Sequence, residues 1–291
     1  MISSVKILKK YQVQPRKRLS QSFLRDDNVA RKIVLAANLQ KADTILEIGA
    51  GHGILTRLLA PEARQVIAVD IDPAMIAILE KETEQDQDQA GNVRIILADI
   101  LKMDIAKLCE ELQVQQLKVI GNIPYAISTE ILFHLLSQRR MISQTVLMVQ
   151  REVADRLTGL PGTKAYGVPT VLLSMHARLV KLFDVPPQCF YPRPRVTSSV
   201  ISLTFRERPR VDLLDEVFFT VIVKAAFASR RKTLWNNLRS AAWLHVEDDN
   251  LKAVLSSCGL DDKVRGEALP VEIFGVLSNK LFAAFQSGRN A

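Results

Sequence analysis

The sequence is poor in the residues that staple, anchor or metallate a protein. Its 291 residues include three cysteines, Cys109, Cys189 and Cys258, odd in number and far apart. They make neither a disulfide framework nor a zinc spacing. The four histidines, His52, His134, His176 and His245, show no ligand spacing, so no metal is expected. No run approaches the ~18 apolar residues of a membrane span. The opening MISSVKILKKYQVQPRKR holds no apolar block long enough for a signal peptide. These absences predict a protein of a reducing, cytoplasmic compartment with no membrane partner.

What is present is an ordinary globular balance, 48% apolar and 24% charged, which excludes a disordered or fibrous chain. The length suggests two domains. The net charge of +8 is unevenly spread. Residues 1–32 hold nine basic residues against two acidic, and 33–137 hold eight against fifteen. Residues 138–206 hold ten against three, and 207–291 twelve against eleven. Basic segments flanking an acidic one suit a protein that grips a polyanion while another part does something else. A basic solvated surface with a charged tail has the same composition.

Residues 1–18 are basic without apolar periodicity and are expected to form a mobile arm. From Asp43 onward, five short apolar runs stand at 44–49, 66–72, 93–99, 117–122 and 145–150. Each is rich in β-branched residues and does not alternate, as strands buried on both faces do. Amphipathic stretches at 53–60, 73–82, 104–112 and 128–137 fall between them. This alternation predicts an α/β, doubly wound, mainly parallel sheet. The acidic stretch 80–92 reads as a solvated loop. A helix is expected near 151–157 and strands at 177–185 and 198–205, with proline-rich PPQCFYPRPRV between them. Strand signals then stop, and 213–228, 231–242, 248–258 and 271–286 read as helices. The expected domains are therefore 19–207 and an all-helical 208–291, with the boundary near 206–210.

The first strand runs into EIGAGHG (47–53). Glycine after a buried strand permits a sharp turn and close approach of a ligand to the backbone. The G-x-G-x-G spacing differs from the G-x-G-x-x-G of dinucleotide binding. With Glu47 two residues before the first glycine, it resembles the first motif of S-adenosylmethionine-dependent methyltransferases. Asp70 and Asp99 end the second and third strands, where ligands of open parallel sheets bind. The former can accept hydrogen bonds from ribose hydroxyls, the latter one from an adenine amine. Asp72 reads as the N-cap of the next helix, outside the site.

The fourth strand ends in Gly121-Asn122-Ile123-Pro124-Tyr125. An adenine amine is a weak nucleophile because its lone pair is delocalised into the ring. An amide oxygen and a backbone carbonyl that accept its hydrogens pull it toward a tetrahedral geometry, and Tyr125 offers a stacking face. Positioning rather than a strong base is the main requirement. A strand-end turn with a half-buried tyrosine is the bland alternative.

Taken together, the motifs resemble the ribosomal RNA adenine N6-dimethyltransferases, most closely their bacterial small-subunit branch. KRLSQSFL (17–24), EIGAGHG, VDID, LADIL and GNIPYAIST (121–129) follow in that family's order. CFYPRPRVTS (189–198), AFASRRKTL (226–234) and GLDDKVRGEAL (259–269) complete it. The resemblance implies a Rossmann-like catalytic domain, a small helical domain and S-adenosylmethionine as cofactor. It implies that Ser22, Leu24, Gly49, Gly51, Asp70, Asp99 and Asn122 hold the cofactor. Asn122, Pro124 and Tyr125 would position the target amine, and Phe190 would stack on the flipped base opposite Tyr125. Without the resemblance, Phe190 reads as a core aromatic. Arg193, Arg195, Arg230, Arg231, Lys232 and the basic arm are implied phosphate contacts.

The implied reaction is dimethylation of two adjacent adenosines near the 3′ end of small-subunit rRNA, within a 30S or pre-30S particle. A monomer is expected, with no DNA partner. Departures from the family pattern are Ser20 in place of Gly, Ser22 in place of Asn and Ala126 in place of Asn. None removes Asn122, Pro124 or Tyr125, so activity is expected. Two alternatives remain at this point. One is a large-subunit rRNA adenine methyltransferase of the macrolide-resistance type, and the other a non-catalytic ribosome-assembly factor.

Overall fold

The computed structural model describes residues 4–16, 21–85, 90–244 and 246–289. Lys17, Arg18, Leu19, Ser20 and His245 lie outside these described residues. The chain divides into two units, Met1–Ala154 with Val180–Phe205, and Asp155–Leu179 with Arg206–Ala291.

The first unit opens with helix α1 (Ser4–Lys10), then a short strand β1 (Phe23–Leu24) and helix α2 (Asp27–Ala36). Strands β2 (Thr44–Ile48), β3 (Gln65–Asp70), β4 (Val93–Leu97), β5 (Leu117–Asn122) and β6 (Ile142–Gln150) follow. They alternate with helices α3 (Thr56–Leu59), α4 (Pro73–Glu84), α5 (Ile105–Leu112) and α6 (Ser128–Ser137). After helix α7 (Arg151–Leu157) and helix α8 (Val168–His176) come strands β7 (Ala177–Val185), β8 (Phe190–Tyr191) and β9 (Ser198–Phe205). Seven strands make one sheet in the order β4-β3-β2-β5-β6-β9-β7. Strands β2 to β6 are parallel to their neighbours and β9 is antiparallel to β6. The expected α/β, Rossmann-like sheet is thus present.

All five residues of β2 are buried, as the unalternating apolar run required. Strand order reverses at β2, which lies between β3 and β5, so a crevice opens beyond the carboxyl ends of these strands. Gly121 lets the two meet closely: a Cβ there would lie 2.3 Å from the Ile48 carbonyl oxygen. Helix starts follow local capping chemistry. The side chains of Asp26, Asp72 and Asp104 accept backbone amides at the heads of α2, α4 and α5.

Three expectations are corrected. The first concerns the arm: Ser4–Lys10 is helical, not structureless, and buries Ile7 and Leu8 against Phe23, Met75 and Ile78. Lys10 and Tyr11 both bond Glu82 at 2.8 Å, and Ser4 Oγ donates to the Leu24 carbonyl at 2.6 Å. The paired apolar residues meet a partner distant in sequence, which periodicity over so short a stretch could not announce. Second, α3 begins at Thr56 rather than near Gly53, because Gly51 and Gly53 hold φ of +56° and +88° and keep the chain turning. The same correction of helix bounds carries α4 two residues beyond the expected 82, to Glu84.

The third correction concerns the domains. Residues 155–179 belong with the helical unit rather than with the sheet. That unit contains α8 and helices α9 (Glu216–Ala226), α10 (Leu234–Arg239), α11 (Asp248–Ser257) and α12 (Val271–Arg289). Tyr166, buried, donates its hydroxyl to the Leu269 carbonyl at 2.7 Å, and the Gly162 amide donates to the Glu267 carbonyl at 2.7 Å. Phe227 stacks on Phe274 at 5.7 Å and meets Tyr166 at a tilt, ring centroids 6.0 Å apart. Such contacts pull a segment across the chain regardless of where composition shifts.

Candidate active site

A cleft of about 750 Å³, its mouth open to solvent included, lies at the ends of β2, β3, β4 and β5. Ile48 and Gly49 line it from the first strand end, Asp70 and Ile71 from the second, and Asp99 and Ile100 from the third. Asn122, Ile123, Pro124 and Tyr125 line it from the fourth, and Gln21, Ser22 and Phe23 close one side.

Gly49, at φ +73°, turns the chain so that its amide reaches the Val69 carbonyl at 2.9 Å. A Cβ at Gly49 would lie 2.9 Å from the Asn122 carbonyl oxygen, so glycine keeps the corner open between the first and fourth strand ends. Asp70 is fixed from both oxygens. It accepts the Gly51 amide at 2.9 Å and the Asp72 amide at 2.8 Å. Burial nonetheless raises its pKa. Asp99 caps the turn at Ile100 through the Leu101 amide, 3.1 Å, and its second oxygen has no bond to any described residue. Two carboxylates at adjacent strand ends, a glycine corner and the apolar Ile71 and Ile100 fit an adenosine-bearing cofactor.

Beneath the glycine turn lie two buried titratable groups. Glu47 accepts the Thr56 hydroxyl at 2.6 Å, and burial pushes its pKa up to about 8. His52 packs beside Phe23, ring centroids 5.7 Å apart, and neither ring nitrogen has a partner among the described residues. Burial, aided by Arg57, lowers its pKa to about 4. Neither residue lines the cleft.

On the fourth strand, Asn122 donates its Nδ2 to the Ser22 carbonyl at 3.1 Å. That bond orients the amide and leaves Oδ1 as the acceptor side. Pro124 is extended, φ −59° and ψ 127°, and brings no N–H of its own that could compete as a donor. Tyr125 bonds Ser198 through its hydroxyl, and its carbonyl accepts the Ser128 hydroxyl at 3.2 Å.

Several expected site residues lie elsewhere. Leu24 and Phe190 do not line the cleft. They are 1% and 2% exposed in the core cluster that includes Met148 and Val200. The cause is pairing register: Leu24 faces Phe190 and Phe23 faces Tyr191 in the β1–β8 pair, and paired residues share a face. Leu24 and Phe190 therefore enter the core together. Gly51 reaches the site through its amide alone. Arg230 is also spent internally. It donates to the Lys164 and Tyr166 carbonyls at 2.7 and 2.6 Å and lies 3.4 Å from Glu267. Arg231, Lys232, Arg193 and Arg195 are exposed.

Other contributors were not singled out from sequence. Gln21 lines the cleft and donates to Asp72 at 2.7 Å, while Arg16 pairs with Asp72 at 3.0 Å. Asp72 thus ties the entry segment to the strand end that carries Asp70, besides capping α4. Its acidic neighbour two residues away was the signal that could have found it. Nothing local marked Ser198 as a partner of Tyr125.

Such a sheet, with a glycine corner and acids at successive strand ends, defines a Rossmann-like S-adenosylmethionine-dependent methyltransferase. The family model for ribosomal RNA adenine dimethylase matches residues 12–279. The chain belongs to that family. It is 44% identical over 275 residues to a ribosomal RNA small subunit methyltransferase A of Syntrophus aciditrophicus, covering 94% of this chain and 97% of the relative. It is 41% identical over 274 residues to the protein of that name from Geobacter sulfurreducens, covering 94% and 97%. A dimethyladenosine transferase from Plasmodium falciparum superposes with a TM-score of 0.72 at 25% identity, covering 91% of this chain and 98% of that one. The 23S rRNA methyltransferase ErmE superposes at 0.69 and 24% identity, covering 89% and 99%, a likeness of fold.

Proposed function

We propose that the cleft dimethylates two adjacent adenosines near the 3′ end of small-subunit rRNA, in a 30S or pre-30S particle, and that the chain works as a cytoplasmic monomer. The observation that carries the reading is the oriented Asn122 amide at the end of β5, beside the two strand-end carboxylates. S-adenosylmethionine, when bound, supplies an electrophilic methyl group. Asp70 would hold its ribose, Asp99 its adenine ring, and Gly49, Gly51 and Ser22 its methionine portion. Asn122 Oδ1 and the Pro124 carbonyl would accept the two hydrogens of the target amine, localising its lone pair. Tyr125 would stack on the base, worth roughly 1–3 kcal/mol. The amine's proton becomes acidic during transfer, so no strong base is required. Phe190, 2% exposed, supports the loop from the core in this structure.

The target must be flipped out of its helix to reach such a pocket. Arg193, Arg195, Arg231 and Lys232 would contact phosphates, whereas Arg230 holds the helical unit together. The small-subunit assignment is favoured over the large-subunit one by relatives at 41–44% identity along nearly the whole chain. The amine acceptors beside a cofactor cleft favour an enzyme over a pure assembly factor.

The test is transfer of labelled methyl from S-adenosylmethionine to unmethylated 30S subunits, with the modified nucleotides mapped. Two adjacent dimethyladenosines in small-subunit rRNA, lost in Asn122→Ala, are expected. Tight RNA binding without transfer would leave the assembly factor. Transfer confined to naked large-subunit rRNA would leave the resistance-type reading.

A further inference from the structure

Tyr125 begins a short 3-10 turn, Tyr125–Ile127, so its ring hangs from a segment with little regular structure of its own. Ser198, 73 residues later, meets its hydroxyl. Ser198 opens β9, stands opposite Gln150 of β6 and is fully buried. It is thus anchored in the sheet on both counts, by ladder pairing and by burial. Between Pro192 and Ser198 runs a loop whose Arg193 and Arg195 are exposed. Its other end is also tied to the target segment. Ser22 Oγ donates to the Pro192 carbonyl at 2.7 Å, and Asn122 donates to the Ser22 carbonyl at 3.1 Å. The loop therefore spans from Asn122, through Ser22, to Tyr125.

We propose that Ser198 is a positioning residue that fixes the direction in which the Tyr125 ring projects into the pocket, so that the 192–198 loop and the target pocket act as one piece. This rests on the reading of Tyr125 as the stacking face for the base. A tyrosine held only at Cα turns about two side-chain bonds; an anchor on its far hydroxyl restrains the first, which swings the whole ring, while the oxygen lies on the axis of the second. Burial also raises the Tyr125 pKa, so the phenol stays protonated and the bond persists through neutral pH. The hydroxyl is then committed to Ser198 and takes no proton from the amine. Dimethylation requires the same amine to be presented twice, the second time with one methyl already in place. A loose ring would therefore penalise the second transfer more than the first.

The experiment compares Ser198→Ala, Tyr125→Phe and the double variant in the full chain, acting on unmethylated 30S subunits. The readouts are kcat/KM for the subunit, the ratio of monomethyl- to dimethyladenosine, and affinity for S-adenosylhomocysteine. Each single variant is expected to lose five- to tenfold in kcat/KM and to accumulate monomethyladenosine, with cofactor affinity within twofold of the parent. The double variant is expected to match either single one, since both remove one bond. Additive losses, an unchanged product ratio, or weakened cofactor binding in Ser198→Ala would overturn the proposal. If Ser198→Ala does not fold, Tyr125→Phe removes the same bond from the other side, and its product ratio decides. Tyr125→Ala separates this proposal from its premise. Wild-type turnover there removes the stacking reading itself. A severe loss there, with Ser198→Ala and Tyr125→Phe unaffected, removes only the positioning role.

Discussion

The two halves of the cleft are built from different materials. The side proposed for the cofactor is mostly backbone, with Gly49 and Gly51 turning through positive φ and main-chain amides gripping Asp70. Its contacts stay within about one strand–helix–strand unit. The side proposed for the target is tied by side-chain bonds over long separations: the Asn122 amide to the Ser22 carbonyl, the Ser22 hydroxyl to the Pro192 carbonyl, and Tyr125 to Ser198. Backbone cradles tolerate neighbouring substitutions but not an added Cβ. Side-chain networks are sensitive to each member, and their effects are coupled.

The largest effect is expected where the two halves join. Gly121→Ala would drive a Cβ against the Ile48 carbonyl at the β2–β5 seam. A loss of several degrees in thermal midpoint, with both cofactor binding and turnover impaired, is expected by differential scanning and calorimetry; an unperturbed protein would contradict so tight a seam. Next, Asn122→Ala should strike mainly the target side. Turnover should drop at least a hundredfold while affinity for S-adenosylhomocysteine changes far less. Asp70→Asn should do the converse, weakening that affinity at least tenfold with a smaller effect on turnover at saturating cofactor. Equal effects of these two substitutions on both readouts would erase the distinction between the halves.

Smaller effects separate two adjacent arginines. Arg231→Ala is expected to weaken 30S binding a few-fold and to lessen its salt dependence. Arg230→Ala should lower the thermal midpoint, because it removes two carbonyl contacts and the Glu267 pairing. The remaining effects are pH-dependent and belong to the groups under the glycine turn. His52 has a folded pKa of about 4 against an ordinary 6.5, so the unfolded chain binds the extra proton. Stability from this group is complete above pH 6.5 and is lost as pH falls toward 4. Glu47 works in the opposite direction. With a folded pKa of about 8 against 4.5, it favours the fold at low pH and loses that contribution as pH rises through 8. Thermal midpoints across pH 4–9 should flatten on the acid side in His52→Leu and on the alkaline side in Glu47→Gln.

Much of this was legible in the linear chain. The five parallel strands, the glycine corner, Asp70, Asp99 and the Asn122–Tyr125 segment each lie within short stretches whose placement follows from short-range stereochemistry. Strand ends, caps and turns need only neighbours in sequence, and they converge because parallel strands deliver their carboxyl ends to one edge. The tertiary structure alone decided what depends on partners far away. It drew α1 onto Phe23 and Met75, gathered 155–179 with the helices, turned Leu24 and Phe190 inward through one pairing register, spent Arg230 on the Tyr166 and Lys164 carbonyls, and joined Tyr125 to Ser198. A side chain's type limits what it can bond, but which face it takes and which partner it meets are set by register and packing between segments that the sequence keeps apart.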